Sequence, residues 1–95
     1  MALSTKSSSF GTVGSAAAVQ LFAENGSRGR LVVQANHSNS GIIYIKWNGT
    51  TPTNTDHHFA LSAGAAYYLD NASVPSGAVS VIGSAAGQAF VAEEG

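Results

Sequence analysis

The 95-residue sequence contains no cysteine, two prolines, one tryptophan and very little charge of either sign. Without cysteine, neither a disulfide nor a thiolate-held zinc or iron–sulfur centre can brace the chain. Lysine and arginine number four, and aspartate and glutamate five, for a formal charge of −1. Neutralising a phosphate backbone needs clustered cations. Lys6, Arg28, Arg30 and Lys46 form no cluster in sequence, so nucleic acid is not an expected partner. No apolar run approaches the roughly 18 residues of a spanning helix, which removes the membrane as an expected partner. Lys6 precedes an Ala-rich stretch, but Gly11, Gly14, Ser15 and Gln20 interrupt the apolar segment that a secretory signal requires.

A chain of this length has room for one domain, which buries only about 60–65% of its unfolded surface. Charged residues make up 9% of it, against roughly 25% in an ordinary soluble domain. With neither staples nor many ion pairs, such a domain is expected to draw stability from a partner.

What is present is a succession of strand-length apolar runs separated by Gly, Asn, Ser and Pro, and no helix need be invoked. Residues 1–9 are polar and Ser-rich and read as a flexible N-terminal arm, with residues 10–95 as a single folded domain. Fully extended, Met1–Phe10 could reach about 30 Å and cross a subunit boundary. Phe10–Val13 and Ala16–Ala23 are candidate strands. In Arg30–His37, Leu31, Val33 and Ala35 alternate with Val32, Gln34 and Asn36, the period-2 signature of a strand with one apolar face. Ile42–Trp47 follows, and Asn48-Gly49 is a two-residue hairpin signal, because both residues tolerate positive φ. Thr50–Asp56 reads as a loop, then His58–Leu61 and Ala65–Leu69 as short strands. Ala78–Ile82 and Gln88–Glu93 read as a final hairpin. About seven strands in some 85 residues predict an all-β fold, a compact antiparallel sandwich or small barrel.

Several strands carry bulky groups on both faces: Ile42 with Ile43, Tyr67 with Tyr68, Val81 with Ile82. A sheet with one wet face should alternate more cleanly. Either both faces are buried within the domain, or the second packs on another subunit. The scarcity of charge suits the latter, since interface cores are depleted of charged residues.

Catalytic chemistry is poorly supported. There is no Gly-x-Ser-x-Gly elbow, and Glu93-Glu94 at the C-terminal end are badly placed for a rigid acid–base pair. No enzyme activity and no cofactor is therefore expected. His57 and His58, adjacent on a strand, would point to opposite faces and need His37 or a second subunit to hold a metal ion. Asn-x-Ser/Thr sequons occur at Asn25, Asn36, Asn48 and Asn71, of which Asn25-Gly26 and Asn48-Gly49 are better explained by turn chemistry.

One ordered set of motifs goes further. Thr12-Val13-Gly14-Ser15-Ala16 is followed by Arg30–Ser38, then Ile43-Tyr44-Ile45 and a Leu61-Ser62-Ala63-Gly64 turn. The set closes with Ala78–Ile82 and Ala89–Glu93. This order, covering nearly all of residues 12–94, resembles that of small β-rich structural proteins of tailed bacteriophage virions. The sequence departs from the pattern at Thr50–His58, which is long and His-rich, and at Val74-Pro75-Ser76. The resemblance implies a non-enzymatic capsid decoration (cement) protein on the phage particle surface, contacting the major capsid protein or other virion proteins. A homo-oligomer is implied with it, the trimer being the first expectation. A tail, fibre or head–tail connector module is the alternative, and a carbohydrate-binding β-sandwich using Tyr44, Trp47, Tyr67 and Tyr68 the third reading. The partner-binding residues expected on these grounds are Lys6, Phe10, Tyr44, Trp47, His57 and His58, with Arg28 and Arg30 as polar rim contacts.

Overall fold

The computed structural model describes residues 7–70 and 74–95, with side-chain environments from Phe10 onward. Among these residues the chain forms eight strands: β1 (Ser7–Val13), β2 (Val19–Phe22), β3 (Arg30–Ala35), β4 (Ile43–Lys46), β5 (Phe59–Leu61), β6 (Ala66–Asp70), β7 (Val79–Gly83) and β8 (Gln88–Glu94). They build two four-stranded sheets, in the orders β1-β8-β3-β6 and β2-β7-β4-β5. Every pairing is antiparallel. The all-β sandwich expected from the spacing of apolar runs is the fold observed.

Period-2 alternation decides which side chains enter the core. In β3, Leu31, Val33 and Ala35 are buried, and in β8 Phe90 and Ala92 meet them from the neighbouring strand. The facing sheet supplies Ile43, Ile45, Val79, Val81 and Leu61. In β2 the register shifts between Gln20 and Phe22, so the consecutive residues Leu21 and Phe22 are both buried. A bulge of this kind is how a strand directs two successive side chains inward.

Two polar plugs on β8 close the ends of the core. At one end Gln88, 1% exposed, accepts the Gly41 N–H on Oε1 at 2.7 Å and donates from Nε2 to the Ala86 carbonyl at 2.9 Å. At the other, Glu94 accepts from Arg28 Nε at 2.7 Å. The rest of the Arg28 fork donates to the carbonyls of Pro75 (2.6 Å), Gly77 (2.9 Å) and Ala23 (3.0 Å). One guanidinium thus joins two separate stretches of chain, at Ala23 and at Pro75–Gly77, to the last strand. Gly77, beside this clamp, runs so close to the backbone after β4 that an added Cβ would lie 2.6 Å from the Trp47 carbonyl oxygen.

Four details differ from the sequence reading. There are eight strands rather than about seven. β1 starts at Ser7, so Ser7–Ser9 pair with Glu94, Glu93 and Ala92 instead of belonging to the arm; the seven-residue β8 provides a ladder long enough to hold them. β7 and β8 are not a hairpin: β7 pairs with β2 and β4, and β8 with β1 and β3. The Val79/Val81 and Phe90/Ala92 faces must meet across one core, and a hairpin would have set them side by side in one sheet. Finally, Asn48-Gly49 begins the loop Trp47–His58 rather than making a tight turn. Its local chemistry is nonetheless that of a turn, with Gly49 at φ +84° and the Asn48 side chain accepting the Thr50 N–H.

Candidate interaction face

The two sheets present different outer surfaces. On the β2-β7-β4-β5 sheet, Tyr44 and Lys46 of β4 and Ile82 of β7 point away from the core, and the Trp47–His58 loop folds back over them. The loop is tied down by the His58 N–H donating to the Ile45 carbonyl at 2.8 Å, and by a turn in which Thr53 and Asp56 exchange backbone hydrogen bonds. Pro52 lies among the fully buried side chains, as far as a loop residue can be from solvent. Tyr44 rests against the His57 ring with centroids 4.5 Å apart. Thr53 and Asn54 share a shallow depression with Ile82. Lys46, 7% exposed, donates to Asp56 Oδ2 at 2.6 Å.

That pair has a pH signature. The Lys46 hydrogen bond, and next its charge, hold the Asp56 carboxyl below the ordinary value of 3.8, helped by His58 and His57 and opposed by desolvation. A lowered folded-state value means that the contribution to stability is present above the unfolded value and is lost as pH falls through the folded one. In a carboxylate NMR titration, Asp56 should therefore show a midpoint below the ordinary aspartate value of 3.8. Lys46→Met should return it to the usual range; an unchanged midpoint would show that the pair is not formed in solution.

The β1-β8-β3-β6 sheet has no such cover among the described residues. Register places Phe10, Val91, Gln34 and Ala66 in one row across its outer face, and Ser8, Glu93, Val32 and Tyr68 in the next. Phe10 is 82% exposed, Tyr68 56% and Val91 54%. They are three of the four large hydrophobic side chains that the described residues expose, the other being Val19 on β2. Isolated apolar side chains on a surface are ordinary, but a group on one face marks an interaction site. Charge is confined to one end, where Arg30 Nη2 lies 3.5 Å from Glu93 Oε1 and Asp70 stands opposite Arg30 in register. Asn36, His37 and Gly64 border a shallow hollow beside Gln34 and Val91. The face thus carries Phe10 and Tyr68 on its two edge strands and Val91 between them, with Gln34 and Glu93 as its polar members on the central strands.

The sequence-derived site residues therefore divide. Phe10 lies on the exposed face along its β1 edge, and Arg30 at its charged end. Arg28, expected as a rim contact, is buried and uses its donors within the chain, because a guanidinium removed from water must have all its hydrogen bonds met. Tyr44, Trp47, His57 and His58 belong to the other side of the sandwich. There Trp47 stacks on His58 (centroids 4.6 Å) and on Tyr67 (5.3 Å, 7° between planes), while Phe59 meets Tyr67 edge-on at 4.1 Å. These rings close the side of the sandwich between edge strands β5 and β6, whereas Tyr68, the fourth aromatic of the sugar-platform reading, is exposed on the outer face of the other sheet. Lys6 lies outside the described residues.

His37 follows β3 of one sheet, whereas His57 and His58 precede β5 of the other. Among the described residues no three His, Asp or Glu side chains come together as metal ligands. Val91 was not singled out from sequence, and Tyr68 only as part of a two-faced strand and of a sugar platform. The signal was the alternation itself: once Tyr67, Phe90 and Ala92 face inward, their neighbours must face outward. Compared with known proteins, the chain matches no family model and no curated protein.

Proposed function

We propose that this chain is a non-enzymatic structural protein of a tailed-phage particle, a decoration or cement protein that binds the head shell through the outer face of the β1-β8-β3-β6 sheet. The observation that carries the proposal is the grouping of Phe10, Tyr68 and Val91 on one uncovered face of a charge-poor sandwich. The virion-like order of motifs supports the particle as the setting. Shell proteins bind by burying apolar area, and each buried aromatic side chain contributes about 150–250 Å². A standard contact buries about 800 Å² per partner, so the contact would cover Gln34, Ala66 and Val32 along with the three large side chains. Binding to the folded state alone also stabilises a domain that has no disulfides. Many copies on one shell make modest individual contacts collectively strong.

Quantitative gel densitometry of purified virions tests the setting. Hundreds of copies per particle are expected; a few copies at one vertex would instead indicate a tail or connector module, and absence from particles would reject the reading. The face itself is tested by the double variant Phe10→Lys/Val91→Lys. Both side chains are mostly exposed, so the fold and its melting temperature should hold while shell occupancy falls by about tenfold or more, the equivalent of roughly 1.4 kcal/mol. Wild-type occupancy in that variant would rule the face out.

A further inference from the structure

We propose that the free edge of β1 pairs with β1 of a second copy, forming a twofold dimer in which the sheet continues across the contact as eight antiparallel strands. The proposal rests on the docking reading above, since copies held side by side on a shell need only a weak contact to pair. β1 is the outermost strand of its sheet and is laddered to β8 along all seven residues, Ser7↔Glu94 to Val13↔Gln88. Its other side carries no strand among the described residues. A row of unpaired N–H and C=O groups is a template for another strand, and edges are ordinarily blunted by charge, proline, bulges or shortness.

The other three edges are blunted in this way. β5 has three residues, β2 has four with a register shift at Gln20/Phe22, and β6 has five and includes Asp70. β1 reads Ser-Ser-Ser-Phe-Gly-Thr-Val, with no charge, no proline and no register break against β8.

The occupant is argued from self-compatibility. Antiparallel pairing of identical strands sets every residue opposite its symmetric position, with the twofold axis at the centre. With the axis at Phe10, Ser9 faces Gly11 and Ser8 faces Thr12 of the second copy. A charged residue near the axis would oppose its own copy, and β1 has none. Phe10, 82% exposed in the single chain, is covered by the second Phe10, and the apolar face runs unbroken from one copy to the other. A strand of this length is about 23 Å long, and at a sandwich depth of about 10 Å the two copies together bury roughly 450–500 Å². That is well below the ~1,200 Å² of stable complexes, so the dimer is reversible and concentration-dependent. The contact closes at two copies; it does not produce a trimer.

The absence of cysteine makes the test direct, because a single introduced thiol reports one position. Phe10→Cys, Gln34→Cys and Tyr68→Cys place it at the β1 edge, in mid-face and on the β6 edge. Under mild oxidation Phe10→Cys should form disulfide dimer about tenfold faster than the other two, as its effective concentration is highest. In sedimentation velocity the wild-type mass should climb towards twice the monomer as concentration rises to about 1 mM. Phe10→Lys should remain monomeric with an unchanged melting temperature. A wild-type protein that stays monomeric throughout, or faster cross-linking at position 34 or 68, overturns the proposal. A monomeric protein that still loses shell occupancy on Phe10→Lys/Val91→Lys rejects the dimer alone. A dimer absent from virions rejects the docking reading and keeps the edge pairing.

Discussion

Arg28→Ala is expected to destabilise the domain by about 3–5 kcal/mol, the cost of leaving one partner of a buried ion pair without the other. The Arg28 side chain is wholly inaccessible and that of Glu94 is 10% exposed. Removing the guanidinium leaves the Glu94 carboxylate with only the longer contact to Asn25 Nδ2 at 3.4 Å. It also leaves the carbonyls of Ala23, Pro75 and Gly77 without this donor. Small domains are stable by about 5–15 kcal/mol in total, so the loss is a large fraction of what is available. At about 4–8 °C per kcal/mol, the melting temperature should fall by at least about 12 °C. Lysine should not rescue it, because an ammonium cannot reach a carboxylate and three carbonyls in the planar fork geometry. Replacing both partners, Arg28→Met with Glu94→Leu, should recover the part of the loss due to the stranded carboxylate, but not the part due to the three carbonyls. A loss under about 1 kcal/mol for Arg28→Ala in urea unfolding would mean that the clamp is not formed in solution.

Trp47→Ala is the second large effect, about 2–4 kcal/mol. Truncating a fully buried Trp or Phe costs about 3–5 kcal/mol, and Trp47 is only partly buried, against the core cluster. Its loss unstacks Tyr67 and His58 at once and opens the side of the sandwich between β5 and β6. The Trp47 N–H also donates to His58 Nδ1 at 3.2 Å, so the backbone at this point is held by the ring it stacks on. Trp47→Phe should keep most of the stability, because an aromatic face remains for Tyr67. Trp47 is the single tryptophan, so its own emission reports the cluster in the wild type and should shift to the red on unfolding. A Trp47→Ala protein as stable as the wild type would return this residue to the role of an exposed platform.

Local pattern made a good deal of this legible. The alternation in Arg30–Ala35 told Leu31, Val33 and Ala35 from Val32 and Gln34, and the structure buries the former. The same logic identified Gln88–Glu93 as a strand, whereas Asn48-Gly49, expected as a two-residue hairpin turn, opens a long loop. Strand pairing was harder to read, because it depends on contacts distant in sequence. Nothing within residues 78–93 distinguishes a hairpin from two strands in opposite sheets. The choice follows from a core that needs Val79 and Val81 on one side and Phe90 and Ala92 on the other. Arg28 illustrates the same limit. Seen locally it is an exposed cation beside a turn, and only the convergence of Ala23, Pro75, Gly77 and Glu94 around it creates a buried site.

The paucity of charge and cysteine, the all-β class and the inward face of each long strand were already set by residue type and spacing, since side-chain direction in a strand alternates with no help from the rest of the fold. Which outward face stays open was not. Both sheets carry apolar residues outward, and period alone treats them alike. The Trp47–His58 loop returns over Tyr44, Lys46 and Ile82 and covers one sheet, while Phe10, Tyr68 and Val91 keep their exposure on the other. That difference arises from where a loop finds a buried seat for Pro52 and a partner for Lys46, a three-dimensional packing outcome that no stretch of sequence carries alone.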